Sequence, residues 1–552
     1  MPTQFPFIDM HTHLFTGRYL PIHGIMRSFK VPNFLAKGLH RFAISITAAS
    51  DFDANHDESQ DDLFDAIMGR DADKLMQVTT GRVRTLIRNS QFPNERNPDE
   101  EMRLRESLGA LDEFSVALGD VAEGDRPISS RILHDGPLAE GSVFSGELTA
   151  PDMLDSLLTR ALAAAGKILS GTEFFHDAAH IHLDDGYDEG TDHGLRAVGL
   201  NELEIKGLRQ VLLFISALAM SERNRFRFLE KDFDKGKADD GFDATYYVGV
   251  LMDMEEAYCE IYGRSLKRPH FDFKTQMWRM NALAKETDGR LFSYGAVDPF
   301  RSADWKCYVE YGRNNGAEGF KIYCPLGYRP IDDRSYTTPV SPHADEDYKK
   351  YAAAPAPSPH AQNAIREILP YFAKNNIRMF THCTPIGFQT KEGYGVFGDP
   401  ELWRRAMNRY NARDLWLFLG HGGGATQVDW FGWASETDAG FDESFAYRAI
   451  QLVQDYDNVY MGLGYIMQMV DPKMRKAIVT RLKTELTKPK PEGAKYHFRE
   501  KVCFGTDWSM LEMVGRTRSY LNAFYEFFED EEVRHCAPAF FQGNALRFLG
   551  RD

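Results

Sequence analysis

The run IRMFTHC (377–383) decides the fold. Five of its seven residues are apolar or β-branched, and it is too short for a helix that buries a face. It closes on a histidine, so it reads as a buried strand with a polar group at its carboxyl end. The same pattern recurs on both sides. LWLFLGH (415–421) follows it, then NVYMGLG (458–464) and KVCFGTD (501–507). AEGFKIY (317–323), LFSYGAVDP (291–299) and YYVGVLMDM (246–254) precede it, and FPFIDMH (5–11) opens the series.

From 246 onward these strands alternate with segments of helical character. They include FKTQMWRMNALAKETDG and regions near 302–314, 360–375, 400–412, 443–457, 472–487 and 515–529. Seven strand-plus-helix units of roughly 35–40 residues, plus the first strand, are the signature of parallel crossovers. Eight of them predict an α/β chain closed as a (β/α)8 barrel. The long gap falls after the first strand. Residues 14–245 carry helical periodicity at 101–118, 152–169 and 201–221, and acidic turn-rich stretches at 51–62 and 182–194. The expected organisation is a first strand in 1–13, a large, mostly helical insertion over 14–245, and the rest of the barrel in 246–552. An insertion leaving the first βα loop borders the carboxyl rim, so a cap or lid is the expectation. The Pro/Ala stretch YAAAPAPSP (351–359) reads as a linker in the fourth βα region.

Composition narrows the function. With 43% hydrophobic and 26% charged residues, the chain has material for a large core. The formal net charge is −16, and no basic stripe interrupts it. That disfavours nucleic acid as a partner and, mildly, a polyanionic substrate. Six cysteines (259, 307, 324, 383, 503, 536) form no CxxC pair and read as buried free thiols. No apolar run reaches about 18 residues, so no membrane span is expected. A basic leader followed by an apolar run is missing at the start, which makes the cytoplasm the expected compartment.

The chemistry gathers at the strand ends. His11 and His13 are two apart at the end of the first strand, so their side chains share a face while Thr12 points elsewhere. Imidazole is the usual protein ligand for zinc and related ions. His382, His421 and Asp507 end three further strands, and Lys321 lies near the end of a fourth. In a parallel barrel those ends converge on one rim, where a polar group on each strand reads as a site. Tyr323 shares the face of Lys321 if the strand continues that far. Tyr323, Tyr328, Arg329 and Arg301 are candidates for holding a substrate carboxylate or carbonyl. For the two arginines the alternative is an ordinary salt bridge. Trp508 abuts Asp507 and either walls the pocket or packs. His180, His182 and His193, among acidic residues of the insertion, read as a solvated loop rather than a second metal site. Gly422–Gly424 lacks the lysine and serine of a phosphate loop and reads as a tight turn.

The pieces DMHTH (9–13), GFKIY (319–323), THC (381–383), GHGGG (420–424) and FGTDW (504–508), in this order, resemble the amidohydrolase superfamily. VDPFR (297–301), VYMGLG (459–464) and NALRFLG (544–550) look most like its branch that includes aromatic-acid decarboxylases. The resemblance covers the first strand and 246–552; it finds no motif in 14–245. It implies a TIM barrel holding one or two divalent metal ions, zinc foremost. His11, His13 and Asp507 would bind one metal, and His382 and His421 the second. Lys321 would bridge them after CO2 converts its amine to a carbamate. In the single-metal form His382 joins the first set, and His421 is an adjacent or acid group. Lys321 as a plain cation orienting an anion is the alternative.

The function so implied is hydrolysis of an amide, cyclic amide, lactone or ester of a small molecule, with Asp507 and His421 as the catalytic groups. Nonoxidative decarboxylation of an aromatic or unsaturated acid is the alternative. An inactive barrel serving as a binding scaffold is a third reading, which the retention of every expected ligand opposes. The implied partners are a small-molecule substrate and, at most, further copies of the same chain.

Overall fold

A computed structural model describes residues 5–28, 33, 36, 37, 40, 218, 220–234, 244–333, 335–339, 356–385, 387–424, 432–433, 438–471, 474–508, 510–513 and 517–551. The helical patterns at 101–118 and 152–169, nearly all of that at 201–221, and His180, His182 and His193 lie outside them. The chain divides into two compact units. One comprises residues 1–14, 229–263 and 271–552; the other comprises 15–228 and 264–270.

The first unit is the barrel. Its strands are β1 (Phe7–Thr12), β2 (Ala244–Val250), β3 (Leu291–Ala296), β4 (Gly319–Ile322), β5 (Arg378–His382), β6 (Leu417–Gly420), β7 (Val459–Leu463) and β8 (Val502–Phe504). They run parallel and pair in sequence order, β1 to β8. The ring closes where Thr12 bridges Trp508 in parallel. There the Asp507 amide donates to the His11 carbonyl at 2.7 Å, and the His13 amide donates to the Trp508 carbonyl. Between consecutive strands stand α1 (Phe273–Glu286), α2 (Trp305–Asn315), α3 (Pro359–Lys374), α4 (Pro400–Arg409), α5 (Phe445–Asp455) and α6 (Arg475–Thr487). α7 (Thr517–Phe527) follows β8.

Local chemistry starts and stops these helices. Asp272 accepts from the Thr275 amide at the start of α1, and Ser444 accepts from the Tyr447 amide at the start of α5. Asp399 accepts from Glu401, with Pro400 in the first turn of α4. Each side chain satisfies an amide that the helix leaves unpaired. Each helix then buries one stripe; on α3 it is Ala361, Ala364, Ile365, Ile368, Leu369 and Phe372.

The barrel interior is filled by alternate strand residues. Ile8, Met10, Val248, Val250, Phe292, Tyr294, Phe380, Phe418, Tyr460 and Cys503 pack together with Ala545, Phe548 and Leu549 of α8 (Asn544–Leu549). The Phe548 ring meets those of Trp416, just before β6, and of Phe418 and Tyr460, the second residues of β6 and β7. α8 therefore plugs the amino-terminal end, which leaves the carboxyl end to carry chemistry.

Five cysteines are buried and free as expected. Cys307 departs from that expectation: it is exposed on the outer face of α2. No helix among the described residues is long and apolar enough to cross a membrane.

Candidate metal centre at the carboxyl rim

β1 brings His11 and His13 to the rim through an irregularity in its pairing with β2 between Asp9 and Thr12. Thr12 turns away and its hydroxyl donates to the Val248 carbonyl at 2.9 Å. Asp507 lies three residues beyond β8, and His421 one residue beyond β6. Both adopt left-handed backbone, with φ of 59° and 66°. Non-glycine residues seldom sit there, and such conformations cost about 1–3 kcal/mol. Here the turn swings each side chain over the barrel mouth instead of along the strand.

The side chains meet. Asp507 Oδ1 is 3.2 Å from both His11 Nε2 and His13 Nε2. Lys321 Nζ is 3.4 Å from His11 Nε2 and 3.5 Å from His13 Nε2. The His421 ring lies 4.8 Å from that of His11 and 4.6 Å from that of His382. His382 in turn faces Tyr323 at 4.7 Å. All six expected ligand residues are buried.

Two imidazoles are fixed by backbone carbonyls. His13 Nδ1 lies 2.8 Å from the Val250 carbonyl, and His421 Nδ1 lies 3.0 Å from that of Gly464. A carbonyl only accepts, so the proton sits on Nδ1 and each Nε2 keeps its lone pair. Burial, then the Lys321 charge, pushes His11 well below the usual imidazole range and lowers His13. Burial pushes His421 down to about 4. Neutral imidazole is the ligating form. His11, His421 and Asp507 each offer one ligand atom, all within 4.8 Å of one another. His11 Nδ1 has no hydrogen-bond partner among the described residues. This donor set of imidazole nitrogens and one carboxylate suits a zinc-like ion. Burial also brings the Lys321 amine down to about 8, against the pull of Asp507.

The remaining residues singled out by sequence lie around this group. Tyr323 walls it, with Lys321 Nζ 5.5 Å from its ring centre. Tyr328 is fully buried, and its hydroxyl accepts from the Tyr323 amide at 2.8 Å. Arg301 is committed to Asp253, at 2.5 and 3.0 Å, and to Glu255 at 3.2 Å. Arg329 donates to the Asp333 carbonyl, and its guanidinium lies over the Phe397 ring. Trp508 is fully buried, with its indole N–H 3.3 Å from Asp232. In this conformation the two arginines and Trp508 are held by protein partners. Gly422 and Gly423 lie in the tight turn that begins at His421.

Three contributors were given no role by the sequence reading, although Asp9 and Gly464 fall within its segments DMHTH and VYMGLG. Asp9 accepts from the amides of His11 and Thr506, at 3.1 and 2.9 Å, and from the Thr506 hydroxyl. It ties β1 to the end of β8, and burial raises its carboxyl to about 7. An aspartate inside an apolar strand was the available signal, because such a group needs several donors. Gly464 orients His421, and a Cβ there would lie 3.2 Å from His11 Nδ1. Gly387, with φ of 116°, lies over His382 and Tyr323; a Cβ would come within 2.7 Å of the Tyr323 hydroxyl. Gly464 closes the VYMGLG segment, but nothing there pointed to its carbonyl as a partner of His421, and nothing in the sequence marked Gly387.

The sequence matches no family model and no curated protein. Solved structures are similar to it. One is an amidohydrolase from Burkholderia multivorans with bound HEPES, at 11% identity over 56% of this chain and 84% of that one, TM-score 0.34. The same protein with bound zinc gives 10% identity over the same shares, TM-score 0.32. A 5-carboxyvanillate decarboxylase from Sphingomonas paucimobilis gives 11% identity over 62% and 90%, TM-score 0.31. What this chain has in common with this amidohydrolase and this decarboxylase is a likeness of fold.

Proposed function

We propose that this chain is a metal-dependent enzyme of the amidohydrolase superfamily that hydrolyses an amide, cyclic amide, lactone or ester bond of a small molecule. The observation that carries the reading is the convergence of His11, His13 and His421 on the Asp507 carboxylate at the barrel mouth, with Lys321 between the first two. His11, His13, His421 and Asp507 would hold the ion. His382 stands beside them, and Lys321 would complete a two-metal set as a carbamate. A divalent ion there would supply a Lewis acid and water acidified towards neutral pH.

The chain's own residues supply the proton movements and the positioning. Asp507 takes the proton of the attacking water and passes it to the leaving group. His421, with its proton held on Nδ1, presents a lone pair; it serves as ligand or acceptor rather than as a donor to an oxyanion. Lys321 has two available states. At pH 7 an amine at about 8 is neutral in roughly one molecule in ten, against about one in three thousand for an ordinary lysine. That neutral fraction carries the lone pair that attacks CO2, and loss of one N–H proton then leaves the carbamate.

A second reading rests on the other nine-tenths. A buried ammonium between two imidazoles would hold the carboxylate of an aromatic or unsaturated acid. The enzyme would then be a nonoxidative decarboxylase in which Asp507 or a water protonates carbon.

Metal analysis of the purified protein, with turnover of an ester and amide panel and CO2 release from aromatic acids, tests both. Asp507→Asn should lower turnover about 10²–10⁴-fold with metal partly retained. Lys321→Ala should lose one of two metals and respond to added short carboxylates if it bridges. It should keep its metal and raise KM if it orients an anion. No bound metal in wild type, or full activity in Asp507→Asn, would sink the proposal.

A further inference from the structure

The turn after β7 orients His421, and one buried hydroxyl brackets that turn. β7 ends at Leu463, and Gly464, Tyr465 and Ile466 follow. Tyr465 has φ of 56°, left-handed backbone that a bulky aromatic rarely adopts. A turn of this kind persists only where its surroundings hold it. Its Gly464 carbonyl is the acceptor for His421 Nδ1 at 3.0 Å. Its Gly464 Cα packs so close to His11 that a Cβ would stand 3.2 Å from Nδ1.

Tyr520 of α7 supplies the hold. It is fully buried, its ring set against Phe504 and Phe524 at 6.2 and 5.2 Å. Its hydroxyl donates to the Leu463 carbonyl and accepts from the Ile466 amide at 3.1 Å. The two bonds fall on either side of Gly464 and Tyr465, so one side chain fixes both ends of the strained segment.

We propose that Tyr520 is a positioning residue for the metal centre: its hydroxyl holds the Leu463–Ile466 turn so that the Gly464 carbonyl keeps the His421 proton on Nδ1 and its lone pair on Nε2. This rests on the metal-centre reading above and deepens it. Carbonyl partners of ligating imidazoles are typically worth 10–100-fold in metal affinity. Tyr520 acts one bond further back, through the backbone that carries such a carbonyl.

Tyr520→Phe removes the hydroxyl and keeps the ring. Tyr525→Phe is the matched control. It lies on the same helix, is equally buried, and its hydroxyl donates to the Phe5 carbonyl at 2.7 Å, away from the centre. Zinc affinity of the chelator-stripped full chain is measured by competition with a chromogenic chelator, beside the melting temperature and the visible spectrum of the cobalt(II) form. Both variants should melt lower. Tyr520→Phe alone should lose roughly tenfold in zinc affinity and shift the cobalt bands. In a His421→Ala background the additional loss from Tyr520→Phe should vanish, because the route to the metal is already cut.

Equal zinc loss in Tyr520→Phe and Tyr525→Phe would show general destabilisation and overturn the inference. So would unchanged zinc affinity in Tyr520→Phe, or an undiminished loss in the His421→Ala background; each leaves the metal centre standing. Wild-type protein that binds no zinc at all would overturn the metal centre and this inference together.

Discussion

Replacing Lys321 with methionine should stabilise the metal-free protein while removing its activity. The side chain is 2% exposed, and burial carries its amine from 10.5 to about 8. At pH 7 it is still mainly protonated, so the folded chain contains a cation that it disfavours relative to the unfolded chain. At roughly 1.4 kcal/mol per pH unit, the displacement corresponds to about 3 kcal/mol. The folded value lies below the unfolded one. Between about pH 8 and 10.5 the unfolded chain therefore binds a proton that the folded chain has released, and stability rises with pH across that window. Below pH 8 the full penalty is present. Methionine has a similar length and no charge. Asp507 loses a favourable neighbour in the exchange, so the net gain should be about 1–3 kcal/mol at pH 7. Urea unfolding after chelation, at pH 7 and again near pH 10, gives the difference in midpoint between Lys321→Met and wild type. The curves should stand apart at pH 7 and converge near pH 10. A less stable methionine variant at pH 7, or a gap that ignores pH, would refute the reasoning.

Three further outcomes are expected. Asp9→Ala strands the amides of His11 and Thr506 at the barrel seam and should cost about 2–5 kcal/mol. Asp9→Asn keeps one accepting oxygen and should cost less in the same unfolding assay; equal losses would deny Asp9 its acceptor role. Gly387→Val combines an unfavourable φ with contact on Tyr323 and His382, and should cut turnover at least about tenfold. Gly289→Ala, which also has positive φ but meets nothing within 4 Å, should leave turnover near wild type, and matching losses would remove Gly387 from the pocket wall. Chelation should bring turnover to background and added zinc should restore it, as followed by rate and metal content; turnover that survives complete removal would refute the metal's role.

The barrel was legible because each strand is a short apolar run and each helix keeps its stripe. IRMFTHC at 377–383 became β5 at Arg378–His382, and the helix read near 360–375 became α3 at Pro359–Lys374. The runs overshot the ladder where chemistry begins. LWLFLGH and KVCFGTD were read through His421 and Asp507, but β6 stops at Gly420 and β8 at Phe504. Buried composition continues past the ladder because the turn at the rim is buried too. The arginines were harder. A lone Arg301 looks available in sequence, and its partners Asp253 and Glu255 lie 48 and 46 residues earlier. Gly464 and Tyr520 act through backbone atoms, which a side-chain pattern does not encode. The short helix Glu255–Tyr262 and the plug role of α8 were likewise not anticipated; both follow from packing rather than from a distinct periodicity.

The seam that closes the barrel also sets when the centre can exist during synthesis. Asp9 meets Thr506 across 497 positions of chain, and the proposed ligands on either side of that contact are His11, His13 and Asp507. In a nascent chain the two imidazoles emerge roughly 500 residues before the carboxylate. Contacts of such separation form late and slowly. Until then the two histidines are an open pair that any soft cation can visit and leave. On the proposed metal-dependent reading, ion capture would therefore be a late step of folding, and the identity of the ion would be settled when the ring shuts.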